Sequence, residues 1–132
     1  MNTKPIICAD AIARYGSKIV IVERLSSVPG LALPGGKQDP DETLSKTAIR
    51  EFTEETGLSL SLLEVLGTYA EEGRDPRGNF ISTVFTGIAA GIPKDETRKT
   101  CVIFLDKEEI LAEKERFVFD HFQVLSDYFK RG

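Results

Sequence analysis

The stretch Gly36–Leu58, GKQDPDETLSKTAIREFTEETGL, decides how the rest of the chain is read. Taken as a helix, its segment Arg50-Glu51-Phe52-Thr53-Glu54-Glu55 places Glu51, Glu54 and Glu55 at i, i+3 and i+4, on one face and within reach of one another. Leu44, Ala48 and Phe52 recur at four-residue spacing and make a separate apolar face. One face therefore suits a core and the other something cationic. Neighbouring carboxylates at these spacings repel. A hard divalent ion removes that cost, and an all-oxygen donor set suits Mg²⁺ or Mn²⁺. Leu33-Pro34-Gly35-Gly36 is a breaker cluster that ends a strand. Asp39 or Asp41 can cap the helix, with Pro40 in its first turn. Gly57 sits where a helix C-terminus takes a left-handed residue. The stretch thus predicts a loop, a helix and a loop.

Outward from it, strands come on both sides. Upstream, residues 5–14 (PIICADAIAR) and 18–24 (KIVIVER) predict a hairpin, followed by a short strand over Leu31-Ala32-Leu33. Downstream, residues 60–70, 80–90 and 101–105 predict three more strands, with a polar loop at 71–79 and a charged loop at 91–100. A short acidic helix is expected over 106–115. A last helix over 120–130 has Asp120 as its cap, Gln123 three residues on, and an apolar face of Phe122, Leu125 and Phe129. Strands around one central helix, closed by a terminal helix, make a mixed-sheet α/β sandwich.

At 132 residues the chain is sized for one domain with a real core. A formal net charge of −4 speaks against nonspecific nucleic-acid binding, so an anionic substrate must be met by a metal or by local arginines. Cys8 and Cys101 each lie in an apolar run and are expected as inert thiols in a reducing compartment. The sequence shows no signal-peptide pattern and no apolar run long enough for a bilayer, so the expected location is cytoplasmic, away from membranes. His121 is expected to pack against the core at a helix start.

The order Gly36, five residues, Glu42, seven residues, Arg50-Glu51, an apolar residue, any residue, Glu54-Glu55, any residue, Gly57 and an apolar residue resembles the Nudix box, with every fixed position filled. This resemblance implies an α/β/α sandwich with a mixed sheet, a catalytic loop-helix-loop and a C-terminal helix, as one Nudix hydrolase domain over residues 1–132. It implies metal ligation by Glu51, Glu54, Glu55 and the carbonyl of Gly36. Glu51, Glu54 and Arg50 would serve catalysis, Arg50 by orienting the ligand carboxylates. The cofactor would be Mg²⁺, with Mn²⁺ able to replace it. The activity implied is hydrolysis of a nucleoside diphosphate linked to another group. A homodimer is an expectation by resemblance.

Substrate choice must come from the loops. In Gly73-Arg74-Asp75-Pro76-Arg77-Gly78 two arginines flank a stiff Asp-Pro, and arginine clamps phosphate bidentately. The same residues are good turn chemistry by themselves. A similar Arg-Asp-Pro-Arg-Gly stretch after the box resembles that of a branch of ADP-ribose pyrophosphatases and of related Nudix domains of NAD metabolism. The residues expected at the substrate are therefore Arg74, Asp75 and Arg77, together with Arg24 at a strand end. Arg24 would serve a surface salt bridge equally well. Asp95 and Glu96 lie where Nudix enzymes often hold an extra acidic residue, but read better as solvated charge. Tyr69, Phe80 and Phe85 are the candidates to stack a base. The expected reaction converts ADP-ribose to AMP and ribose 5-phosphate. The alternatives are hydrolysis of another nucleotide, such as a damaged deoxynucleoside triphosphate or a diadenosine polyphosphate, and a non-catalytic ligand-sensing module.

Overall fold

The run that begins at Pro5 alternates small and large apolar side chains, and it becomes a strand buried on both faces. In the computed structural model, which describes residues 4–131, β1 (Ile6–Tyr15) lies at the centre of a seven-stranded mixed sheet. Residues 1–3 and 132, part of the single-domain expectation, lie outside the described residues. β2 (Lys18–Arg24) returns antiparallel to β1, and β3 (Gly30–Ala32) pairs with β2. β4 (Gly35–Lys37) folds back on β1. β5 (Ser59–Tyr69) and β6 (Phe80–Ala90) form an antiparallel pair whose register shifts twice, and β7 (Thr100–Leu105) covers β2. β1 and β6 run parallel, from Ile6 opposite Phe80 to Arg14 opposite Ile88.

Alternation along β1 builds a core on each side of the sheet. Ala11 and Ala13 face the side covered by α1 (Leu44–Thr56), where they pack with Phe52, Leu58 and Leu60. Small side chains in the strand let this helix approach closely. Ile12 joins Ile19, Ile21 and Val84 against Ile110 of α2 (Lys107–Ala112) and Val124 and Leu125 of α3 (His121–Arg131). The expected α/β/α sandwich follows. Phe52 is fully buried, and burying a side chain of this kind is worth about 1.5–3 kcal/mol. No described helix is long and apolar enough to cross a membrane.

Three local expectations need correction. α1 starts at Leu44 with Thr43 as its cap, whose hydroxyl accepts from the Lys46 amide at 3.2 Å. Asp39 and Asp41 do not cap it. Asp41 takes a left-handed φ of 65°, and Glu42 ties the segment by accepting from the Asp39 amide and the Thr47 hydroxyl. The breaker cluster does end β3 at Ala32, but Gly35 and Gly36, expected in the loop, join Lys37 as β4 against β1; a Cβ at Gly35 would collide with Asp10 and the Ala9 carbonyl, so glycine alone fits there. Asp120 holds the cap position of α3 as expected, its carbonyl accepting from the Val124 amide at 3.0 Å, but its carboxylate is bound to Arg74 at 2.6 and 2.9 Å instead of to a helix amide. Cys8 and Cys101 are free thiols, the first buried and the second half-buried.

Candidate active site

The glutamate helix stands beside β4, and its polar face closes one side of a cavity of about 290 Å³. Glu51 and Glu55 line this cavity with Gly35 and Gly36. A Cβ on Gly36 would run into the Glu51 carboxylate, so the glycine keeps its backbone against that acid. Glu55 accepts a hydrogen bond from the Gly35 amide at 3.0 Å. Burial pushes the Glu55 carboxyl up to about 7; the negative neighbours Asp10 and Glu51 add to this, while the Gly35 amide opposes it. Burial also raises Glu51, against the pull of Arg50.

Arg50 is the hub of this wall. Its Nε and Nη2 grip Glu42 bidentately at 2.8 and 2.9 Å, and Nη1 donates to Glu51 Oε1 at 2.8 Å. Nη2 also donates to the Lys37 carbonyl at 3.0 Å. The hydrogen bonds from Arg50, then those from the Asp39 amide and Thr47, hold the Glu42 carboxyl down at about 2. The contact of Arg50 with Glu54 is long, 3.4 Å, so Arg50 is held by Glu42 and Glu51 rather than by Glu54. The side chain of Glu54 is 60% exposed.

In kind, the carboxylates of Glu51 and Glu55 fit a hard divalent cation. Glu51, Glu55 and Gly36 share the cavity, whereas Glu54 lies outside its lining. Among the described residues, no three acidic, histidine or cysteine side chains already converge on one metal position. For the expected carboxylates to meet on one cation, the exposed Glu54 side chain would have to join Glu51 and Glu55.

The loop after β5 also lines the cavity, through Arg74, Asp75 and Arg77. Arg77 is bonded to Asp75 by Nε at 3.0 Å and Nη2 at 2.7 Å, and the Arg77 amide closes the turn on the same carboxylate. Burial works against the ionised Asp75, yet these bonds outweigh it and keep its carboxyl below the usual range. Arg77 lies over the rings of Phe80 and Phe119. Arg74 is different. Its side chain is only 5% exposed and its fork is used by Asp120. Arg24 lines the cavity but donates to the carbonyls of Ser27 and Val28, two residues at positive φ, so it braces that loop. Burial, then the nearby Arg77, lowers its pKa.

Of the base-stacking candidates, Phe80 lines the cavity. Phe85 is buried with Ala9 and Ala48, and Tyr69 donates to Asp127 at 2.7 Å. Asp95 and Glu96 are exposed. His121 is buried as expected; its Nδ1 accepts from the Leu33 amide at 2.9 Å, its Nε2 faces Asp10 at 3.7 Å, and burial lowers its pKa. Several cavity residues escaped the sequence reading, among them Lys37, Ser82, Asp10 and Phe119. Asp10 is buried and accepts from Ser82 Oγ. A lone acid inside the apolar run of β1 was the readable sign. Phe119, which has no such sign in the sequence, lines the cavity from the segment before α3.

Known proteins give this geometry a context. The NUDIX domain profile matches residues 5–128. An ADP-ribose pyrophosphatase from Methanocaldococcus jannaschii is 33% identical over 129 residues, which is 96% of this chain and 74% of that protein. The NUDIX domain of Shewanella oneidensis NrtR, solved with ADP ribose, superposes with a TM-score of 0.84 at 23% identity, covering 98% of this chain and 90% of that one. A bifunctional NMN adenylyltransferase/ADP ribose pyrophosphatase from Francisella tularensis, solved with AMP and a Mn ion, gives a TM-score of 0.85 at 23% identity. It covers 97% of this chain, which spans 42% of that longer protein.

Proposed function

Because the chain belongs to the NUDIX domain family and is a Nudix pyrophosphohydrolase, we propose that its substrate is ADP-ribose, cleaved by water to AMP and ribose 5-phosphate with a divalent cation as cofactor. One observation carries this reading. A single cavity is lined both by Glu51 and Glu55 and by Arg77, Phe80 and Phe119. The acidic part of the lining suits a cation-bound pyrophosphate. The basic and aromatic part suits the flat and anionic remainder of a nucleotide.

Glu51, Glu54, Glu55 and the Gly36 carbonyl would hold Mg²⁺ or Mn²⁺. When bound, such a cation neutralises phosphate oxygens and lowers the pKa of water. Arg50 orients Glu51 through a 2.8 Å bond while Glu42 fixes Arg50 in turn. Asp75 holds the Arg77 guanidinium at the cavity wall, placed to meet the substrate beyond the pyrophosphate. A panel of ADP-ribose, deoxynucleoside triphosphates and diadenosine polyphosphates, assayed with Mg²⁺ and with products separated by chromatography, tests the proposal. ADP-ribose should give AMP and ribose 5-phosphate in equal amounts and have the highest kcat/KM. Preference for another nucleotide would move the substrate assignment, and full activity in excess EDTA would remove the metal.

A further inference from the structure

Flat groups crowd one wall of the cavity at stacking distances. The Arg77 guanidinium carbon is 4.8 Å from the Phe80 ring centroid and 4.7 Å from that of Phe119, and the Arg24 guanidinium carbon is 5.2 Å from Phe119. Phe119 reaches this place with strain. Its φ is 60°, in the left-handed region that a bulky L-residue rarely adopts and that asparagine or glycine takes more easily. Bonds on both sides impose the conformation. The Val118 amide donates to the Leu31 carbonyl at 2.9 Å, and the His121 ring accepts from the Leu33 amide at 2.9 Å. Core packing does not account for the ring. Phe117 and Phe122 join the apolar cluster beneath α3, whereas Phe119 is half-buried and packs T-shaped with His121, the ring centroids 5.2 Å apart and the planes at 69°. A strained aromatic residue kept on a cavity wall, outside the core, points to a ligand.

We infer that Phe119 is the residue on which the base of the nucleotide stacks, with Phe80 and the guanidiniums of Arg24 and Arg77 as the flat groups around it. This orients the substrate: the base lies toward Phe119 and the pyrophosphate toward Glu51 and Glu55. The inference rests on the reading that the substrate is a nucleotide, but it is tested without turnover. AMP and ribose 5-phosphate both carry one phosphate ester on a ribose, and they differ by the adenine. Calorimetric titration of the full chain with each, for wild type, Phe119→Asn and Phe119→Tyr, isolates the base.

In wild type, AMP should bind more tightly than ribose 5-phosphate. Phe119→Asn should weaken AMP on the order of 5- to 150-fold, the range for loss of one base–aromatic stack, and leave ribose 5-phosphate unchanged. Its Tm should not fall, because asparagine accepts the left-handed backbone. Phe119→Tyr should restore AMP binding. Equal weakening of both ligands, unchanged AMP affinity in Phe119→Asn, or no preference for AMP in wild type would each overturn the inference. The two readings separate cleanly. A chain that does not hydrolyse ADP-ribose, yet loses AMP through Phe119→Asn, keeps the stacking residue and gives up that substrate. Hydrolysis of ADP-ribose with AMP affinity untouched by the substitution does the reverse.

Discussion

At the scale of single residues, the glutamate wall is governed by two groups in opposite ways. Arg50 gathers carboxylates: it is bidentate to Glu42 and bonded to Glu51 through a separate nitrogen. Lysine keeps the charge but cannot serve Glu42 and Glu51 with a planar fork. Arg50→Lys should therefore lower kcat clearly, on the order of tenfold to a hundredfold as for other outer partners of metal ligands, with less effect on KM. Steady-state kinetics on the preferred substrate checks this, and wild-type kcat would show that charge alone suffices. Glu55 works against the metal-free fold. Its carboxyl is raised from about 4.5 to about 7, first by burial. A carboxyl raised on folding favours the folded state fully below about pH 4.5, and that favour is lost as pH rises through about 7. The shift amounts to about 3 kcal/mol at most. In EDTA, Glu55→Gln should exceed wild type in stability by up to that amount at pH 8 and by little at pH 4.5, since the amide oxygen can still accept from Gly35. Denaturant melts at both pH values measure it; an equal difference at the two would mean that ionisation of Glu55 is not the cause.

Among the elements, the loop between β5 and β6 shows how one short sequence divides its labour. Arg74 and Arg77 look interchangeable in Gly73-Arg74-Asp75-Pro76-Arg77-Gly78, yet Asp120 claims Arg74, while Arg77 stays on the cavity wall with its side chain 37% exposed. Arg74→Ala should destabilise the fold by about 2–3 kcal/mol, somewhat below the loss for a fully buried pair because Asp120 is partly exposed. Arg77→Ala strips the guanidinium bonds from the buried Asp75 and should itself cost about 1–3 kcal/mol of stability, and it should lower kcat/KM for ADP-ribose about tenfold to a hundredfold, the value of one charge-assisted contact. Kinetics at a temperature where melting curves show both variants folded should separate the two, with Arg74→Ala keeping far more activity than Arg77→Ala. If Arg74→Ala spared stability and lost activity instead, the roles would be exchanged. This division was not legible beforehand, because Asp120 is 46 residues away from Arg74 and nothing local marks the pairing. α1 was legible for the contrary reason. Its apolar period, its acidic face and the left-handed Gly57 all lie within a few turns of chain. Its start was missed because Glu42, which holds the preceding turn, takes bonds from Asp39, Thr47 and Arg50 that spacing rules do not foresee. Phe119 was hidden for the same reason as Arg74: the backbone bonds that impose its turn come from the distant Leu31 segment.

For the whole molecule, the site exists only in the folded chain. Gly36 on β4 and Glu51 and Glu55 on α1 meet because β4 pairs with β1 and α1 packs on the same sheet. A cation held there binds the folded state in preference to the unfolded one, so it must stabilise by mass action. At a hundredfold excess over Kd the gain is about 2.7 kcal/mol. For a domain of this size that corresponds to a rise in Tm of about 5–15 °C. The gain should depend on pH in a direction that Glu55 sets. A proton on its raised carboxyl competes with the metal, so the shift in Tm should be large at pH 8, where Glu55 is ionised, and small at pH 5.5, where most of it is protonated. Scanning calorimetry with and without MgCl₂ or MnCl₂, at ionic strength matched with NaCl, measures both arms. Glu55→Gln should flatten this pH dependence, and Glu51→Gln should shrink the shift at every pH. A shift that is the same at pH 5.5 and 8 would show that the cation does not draw on Glu55. A shift left intact in both variants would place the bound cation away from the helix face that these carboxylates share.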